Sequence, residues 1–211
     1  MRSIAIYGGT FDPIHNGHIQ TSITIQNYFN FDHYYFLPCK SPAIKPPTSA
    51  DGNDRVNMLQ LGLKEFQKFT IDLREINRDA PSYMSDTLQS FREEYNTSSL
   101  TLILGYDAFI SLPQWHDWEK IITLANLLVM ERSQYSNSPL PESLKTLLEE
   151  HQTNNKSDLI SNKSGKIYLF NAGHYDISST QIRNLLKKGH SAQNEVPKTV
   201  LEYIKKKGLY Q

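Results

Sequence analysis

The sequence predicts an α/β protein built on a doubly wound, mainly parallel sheet, with a small C-terminal helical portion. Three observations predict it. Short apolar runs of strand length alternate with segments of helical periodicity. The first such run ends in the pair Gly8-Gly9 and leads at once into a helical pattern. The length of 211 residues suits one domain, read as an α/β core over 1–175 and a helical portion over 176–211.

Ser3 to Tyr7, apolar and holding two isoleucines, is the first strand. Gly17 to Asn30 follows as a helix with Ile19, Ile23 and Phe29 among its apolar members. His33 to Leu37 is the second strand, stopped by Pro38. A polar loop through Ser41-Pro42 and Pro46-Pro47 comes next, long enough to act as a flap. Asp54 to Phe66 reads as a helix with Val56, Leu59 and Leu63 on one side. Phe69 to Leu73 is a strand, Ser85 to Tyr95 a helix, and Leu100 to Leu104, Asn126 to Met130 and Lys166 to Phe170 are further strands. Ser133 to Ser164 is polar outside Leu140 to Leu148 and reads as a short helix plus an exposed, mobile loop. Pro197 to Leu209 is an amphipathic helix whose Lys205-Lys206-Lys207 suits the negative end of a helix dipole. Ligands bind at the carboxyl ends of the strands in such sheets. Gly8, Lys45, Tyr83, Gly105 and the segment at Ile177 all lie just past strand ends, so topology predicts that they converge.

Composition narrows the function. Hydrophobic residues make up 38% of the chain, with nine Phe and twelve Tyr, which is enough for a real core. Lys+Arg and Asp+Glu both number 22, a balance that argues against non-specific binding of nucleic-acid polymers. One cysteine, Cys39, excludes an internal disulfide and suits a reducing cytoplasm. No apolar run approaches the length of a membrane span, and no signal peptide is expected.

The chemistry concentrates in Gly8-Gly9-Thr10-Phe11-Asp12-Pro13-Ile14-His15-Asn16-Gly17-His18. The glycines let the chain turn sharply and let a ligand approach the backbone. His15 and His18, at i and i+3, share one helix face. A helix start also presents N–H groups and a positive dipole end, so the stretch describes a phosphate-binding site. Each histidine can donate a hydrogen bond to phosphate oxygens and, when protonated, add positive charge. As exposed polar positions, both should tolerate replacement without unfolding. No third ligand recurs at a metal-binding spacing, so no metal site is assigned.

This opening stretch resembles the signature of the nucleotidylyltransferase superfamily, and Ile177-Ser178-Ser179-Thr180-Gln181-Ile182-Arg183 resembles its second hallmark. Tyr83-Met84-Ser85-Asp86-Thr87-Leu88, Leu104-Gly105-Tyr106-Asp107-Ala108-Phe109 and Leu112-Pro113-Gln114-Trp115-His116-Asp117-Trp118 narrow the resemblance to bacterial nicotinate-mononucleotide adenylyltransferases. One departure is visible: Ser41-Pro42-Ala43-Ile44-Lys45 stands where the family has Pro-Pro-His-Lys, so Ile44 replaces a histidine.

The resemblance implies a Rossmann-like nucleotidylyltransferase fold and adenylyl transfer from ATP, carrying Mg²⁺, to nicotinate mononucleotide, giving deamido-NAD and pyrophosphate in NAD biosynthesis. His15 and His18 are the implied catalytic pair. Gly8, Gly9, Thr10, Phe11, His15, His18, Ser179, Thr180 and Arg183 are the implied ATP-binding residues, with the hydroxyls and N–H groups of a helix start placed for phosphates. Lys45, Tyr83, Asp86, Thr87, Gly105, Asp107 and Trp115 are the implied mononucleotide-binding residues. Trp115 offers a flat face to a pyridinium ring, Trp118 is read as core, and Asp107 as a ribose ligand, a helix N-cap, or both. Two alternatives stay open: a phosphopantetheine adenylyltransferase, which shares both hallmarks, and a catalytically silent nucleotide-binding sensor.

Overall fold

The computed structural model describes residues 1–41, 46–79, 81–130, 140–173 and 175–211. Six parallel strands form one sheet: β1 (Ser3–Gly9), β2 (His33–Pro38), β3 (Phe69–Ile71), β4 (Ser99–Gly105), β5 (Asn126–Met130) and β6 (Ile167–Phe170). Their spatial order is β3-β2-β1-β4-β5-β6. The order reverses between β1 and β4, so chains leaving these neighbours depart in opposite directions and open a crevice at their carboxyl ends.

Side-chain alternation along β1 separates two cores. Ala5 and Tyr7 face one apolar cluster, while Ile4 and Ile6 face the other. Helices α1 (Asn16–Phe29) and α2 (Gly52–Leu63) cover the first face, through Ile19, Ile25, Met58 and Leu59. Helices α3 (Met84–Glu94), α4 (Tyr106–Ile110), α5 (Trp118–Leu124) and α6 (Glu142–His151) cover the second, through Leu88, Phe91, Phe109, Ile121 and Leu144. A single 3₁₀ turn, Leu112–Gln114, joins α4 to the loop before α5. Among the described residues no helix is long and apolar enough to cross a membrane.

One expectation needs correction. The stretch from 140 to 164 is packed rather than loose. Leu144 of α6 and Leu159 of the short helix α7 (Asp158–Ser161) are fully buried, and the Leu159 carbonyl accepts from the hydroxyls of Ser99 (2.6 Å) and Thr101 (3.1 Å) on β4. Residues 131–139 lie outside the described set. The C-terminal helical portion packs into the core. Helices α8 (Ser179–Lys187) and α9 (Lys198–Lys207) send Ile182, Val200, Leu201 and Ile204 into the first core, which they share with β1 and α2.

Among the described residues, one charged residue lies wholly inside. Arg55 of α2 has no exposed surface, and its guanidinium donates to the Thr10 carbonyl (2.8 Å) and the Lys40 carbonyl (3.0 Å). It thus ties together the chain leaving β1 and the chain leaving β2, whose loop carbonyls have no strand partner there. Arg55→Met keeps the volume and removes both bonds, stranding the two carbonyls. A buried unsatisfied group costs about 1–3 kcal/mol, and these carbonyls are only part-buried, so urea unfolding should show a loss of roughly 1–3 kcal/mol. A loss under about 1 kcal/mol would mean that water satisfies both carbonyls.

Candidate active site

The signature loop runs from Gly8 to His18 along the crevice and borders two clefts. The larger, about 460 Å³, lies over the ends of β1 and β4, walled by Gly8, Thr10, Gly105, Tyr83 and Trp115. The smaller, about 70 Å³, lies on the other side of β1, walled by His15, His18, Met130, Tyr175 and Ile177.

The two histidines cap their own helix. His15 is the N-cap residue of α1 and His18 its third residue. His15 Nδ1 accepts from the His18 N–H and His18 Nδ1 accepts from the His15 N–H, both at 3.3 Å. This is a capping box made of imidazoles in place of the usual hydroxyl and carboxamide. Because each Nδ1 is an acceptor, the ring proton sits on Nε2, and each Nε2–H is a donor. The rings stack with centroids 3.6 Å apart. His18 also meets the ring of Phe11 at 5.2 Å and that of Tyr7 at 6.0 Å.

The box explains the glycine between the histidines. A Cβ on Gly17 would stand 3.0 Å from His15 Nδ1 and 3.1 Å from its Cε1, so a side chain there would push the ring off its cap. One expectation changes here. His18 is half-buried, but His15 is only 4% exposed and caps α1, so its loss removes helix stability along with any chemistry.

The second hallmark packs directly on the first. Ser178 is the N-cap of α8, accepting from the Gln181 N–H at 3.2 Å. Ser179 Oγ donates to the Pro13 carbonyl (2.9 Å), and Arg183 donates to the Asp12 carbonyl (2.8 Å) and the Thr180 hydroxyl (3.2 Å). The Ser179 hydroxyl and one guanidinium nitrogen of Arg183 are therefore engaged with the signature loop. The first-turn N–H groups of Ser179 and Thr180 carry no intrahelical bond.

The larger cleft assembles some of the expected residues and leaves out others. Tyr83 is the N-cap of α3, makes no side-chain cap, and its ring packs on that of His116 with centroids 4.4 Å apart. That contact joins the start of α3 to the loop of Trp115. Trp115 Nε1 donates to Ser111 Oγ at 3.3 Å, which turns the indole edge inward. Trp118, read as core, is half-buried against the second core, as Trp115 is. Gly105, which lines the cleft, is the N-cap of α4. Asp107 is exposed in that helix's first turn and makes no cap, which removes the N-cap reading of Asp107. Asp86 is exposed on α3. Thr87 is fully buried and does not line the cleft. Lys45 and Ile44 lie outside the described residues.

The Thr87 hydroxyl donates to Glu75 Oε1 at 2.7 Å and accepts from Arg78 at 3.1 Å. Glu75, 2% exposed, does line the cleft, and no motif pointed to it. Ser111, Met130 and Tyr175 were likewise unmarked, because apolar and neutral walls carry no spacing signal, whereas Met84 lies in the Tyr83 to Thr87 segment that the resemblance singled out. Burial pushes the Glu75 carboxyl above its ordinary 4.5, against the pull of hydrogen bonds from Thr87 and Ser82 and of the Arg78 charge. A carboxyl raised by folding contributes stability that is complete below 4.5 and is lost as pH rises through the folded value. Glu75→Gln keeps an acceptor for Thr87 and cannot ionise. Its stability relative to the parent should therefore grow as pH rises from 4.5, by roughly 1.4 kcal/mol per pH unit, and level off once the folded carboxyl has ionised. Urea unfolding at pH 4.5 and at about pH 8 checks it; a difference independent of pH would contradict the burial argument.

Comparison with known proteins gives one answer. The cytidylyltransferase-like family profile matches residues 6–185. A probable nicotinate-nucleotide adenylyltransferase of Legionella pneumophila (strain Corby) is 59% identical over 211 residues, covering 100% of both chains. Another, of Methylococcus capsulatus, is 40% identical over 208 residues, covering 98% of this chain and 99% of the relative. Plasmodium falciparum nicotinic acid mononucleotide adenylyltransferase complexed with NaAD has a TM-score of 0.73 at 22% identity, covering 100% of this chain and 98% of that one, a likeness of fold. With the clefts, both hallmarks and the sheet order in one continuous full-length match, the chain belongs to the nicotinate-nucleotide adenylyltransferase family of cytidylyltransferase-like proteins.

Proposed function

We propose that the chain transfers the adenylyl group of ATP to nicotinate mononucleotide, forming deamido-NAD and releasing pyrophosphate, a step of NAD biosynthesis. The observation that carries this reading is the pair of clefts on either side of β1, with one loop as their common wall. A phosphate oxygen of the mononucleotide attacks the α-phosphorus of ATP, a P–O bond forms, and the bond to pyrophosphate breaks. Both partners are anions, so the protein's task is to align them and meet the charge.

The smaller cleft is assigned to ATP. His15 and His18 turn Nε2–H donors toward its phosphates, while Gly8, Gly9 and Thr10 wall the larger cleft on the other side of the loop and would meet the α-phosphate from there, with Phe11 buried beneath. The N–H groups of Ser179 and Thr180 suit the outer phosphates, while Arg183 and the Ser179 hydroxyl hold the loop in place. The residues walling this cleft offer imidazole nitrogens, the Thr21 alcohol, the phenols of Tyr7 and Tyr175 and a thioether, with no carboxylate, a poor donor set for a hard cation. Mg²⁺ is therefore written as part of the ATP substrate, held by its phosphates.

The larger cleft is assigned to the mononucleotide. Trp115 and Tyr83 supply flat faces for the pyridine ring. The uncapped start of α3 offers the N–H groups of Met84 and Ser85 to a carboxylate. Gly105 and exposed Asp107 border the ribose, and Lys45 would add a cation from the flap. Thr87 acts at one remove, by holding Glu75.

His18→Ala removes a phosphate donor without removing the N-cap residue, so turnover should fall by about 10²-fold in a folded protein. Near-parental turnover would refute the assignment of His18.

The acid is expected over the amide. A carboxylate accepts at both oxygens, whereas an amide sets an NH₂ against an N–H donor at α3, at about 1–3 kcal/mol per mismatch. Pyrophosphate release with each mononucleotide, under the same ATP and Mg²⁺, should give kcat/KM ratios on the order of 10² or more for the acid. Equal values would overturn the substrate, and no release with either would overturn the transferase.

A further inference from the structure

The signature loop is held from a direction that neither hallmark supplies. Gly208, at φ +64°, ends α9 and turns the chain back. Tyr210 then returns toward the start of the protein, and its hydroxyl donates to Asp12 Oδ1 at 2.7 Å. Asp12 is only 3% exposed and sits between Phe11, whose φ is +48°, and the turn that leads to His15. Its carboxylate also accepts from the N–H of Ala50 (3.1 Å, on Oδ1) and of Ser49 (2.7 Å, on Oδ2), while its carbonyl accepts from Arg183. Asp12 is thus the point where the loop after β1, the segment before α2, helix α8 and the C-terminal turn meet.

We propose that Tyr210 is a positioning residue of the adenylyl-transfer site, acting through Asp12 to hold the signature loop in the shape that aims the His15 and His18 donors at ATP. The loop holds one non-glycine residue in the left-handed region, Phe11, which costs energy and persists only where the surroundings enforce it. Arg183 and Ser179 fix the loop's carbonyls from one side. On the opposite side the Asp12 carboxylate anchors the loop, and among the described contacts Tyr210 is the only side chain that donates to it. Burial, and then the hydrogen bond to Asp12, hold the Tyr210 hydroxyl protonated well above its ordinary range, so it remains a donor across the working pH. Arg55 and Arg183 lie close enough to be felt by that hydroxyl. A carboxylate accepting from backbone and tyrosine is consistent with a buried anion among cations.

The inference rests on the assignment of the smaller cleft to ATP. Tyr210→Phe deletes the hydroxyl and keeps the ring. Kinetics are measured well below the melting temperature, with ATP and nicotinate mononucleotide varied separately, and amide exchange is followed in the same samples. The expected result is an ATP KM raised about fivefold, the scale of one lost hydrogen bond, with kcat lowered and the mononucleotide KM within about twofold. Amides of the loop from Thr10 to His18 should exchange faster, while those of β4 and β5 stay unchanged. A variant with parental ATP KM and kcat, or with unaltered loop exchange, would make Tyr210 a structural residue only. Should Tyr210→Phe unfold, Tyr210→His offers a ring donor of shorter reach, and recovery of the ATP KM by it supports the same bond; a folded His variant without recovery overturns it. Absence of pyrophosphate release by the parent would instead sink the assigned activity, which keeps the two failures apart.

Discussion

The constraint on which this structure depends is the reversal of strand order between β1 and β4. Parallel neighbours must be joined by crossovers, and a crossover keeps one hand. Chains leaving β1 toward β2 and chains leaving β4 toward β5 therefore pack on opposite faces, which is why β1 divides its side chains between two cores. The carboxyl ends of β1 and β4 are left uncovered between the departing helices. Both clefts open from that gap, and the loop after β1 passes between them. The placement of chemistry follows from topology before any single residue is chosen.

That placement creates a burden. The loop borders both clefts while Phe11, Asp12, Ile14 and His15 are buried, and the carbonyls of Thr10, Asp12 and Pro13 lie beyond the sheet and need partners from side chains. The fold answers with side chains sent in from elsewhere. Arg55 reaches from α2 to the Thr10 and Lys40 carbonyls, Arg183 and Ser179 from α8 to those of Asp12 and Pro13, and Asn16 is held by the carbonyls of Asn194 and Glu195. The C-terminal helices are thus bound both to the core and to the site. Separating them from the sheet would expose Ile182, Val200 and Ile204 and release the loop at once.

Much of this is legible in the residues. Strands such as Leu100 to Leu104 announce themselves because a strand buried on both faces is a continuous apolar run, and the histidine pair is legible because its spacing carries a mechanism. What is not legible has physical causes. Helices α4 and α7 span five and four residues, too short for a period, and α7 is held by the buried Leu159, by Ile160 against the first core, and by hydrogen bonds to Asp158 and to the Leu159 carbonyl. Glu75 and Arg55 are charged, and patterning assigns charges to the surface; only the partners Thr87, Thr10 and Lys40, distant in sequence, put them inside. Thr87 looks like a ligand residue from its neighbours Tyr83 and Met84, but a helix turn carries it away from the cleft toward Glu75. Asp107 looks like a cap, but the chain already turns at Gly105.

The geometry of the histidines also limits what they can contribute. Phosphate sites commonly collect full positive charges, and two imidazolium rings would supply them. Here each Nδ1 accepts a backbone N–H, so protonating either ring at Nδ1 sets a donor against a donor and breaks one half of the cap. Doubly charging the pair is worse. Two unit charges at about 4 Å repel by roughly 4 kcal/mol at a surface-like dielectric, and the ring centroids are 3.6 Å apart. On the proposed reading the pair meets phosphate as two oriented N–H donors, and the starts of α1 and α8, which converge on the same loop, add their own field. Such donors are already oriented before a ligand arrives and need no proton from solvent. On that reading the capping box, which fixes both rings, sets how this end of the site is aimed.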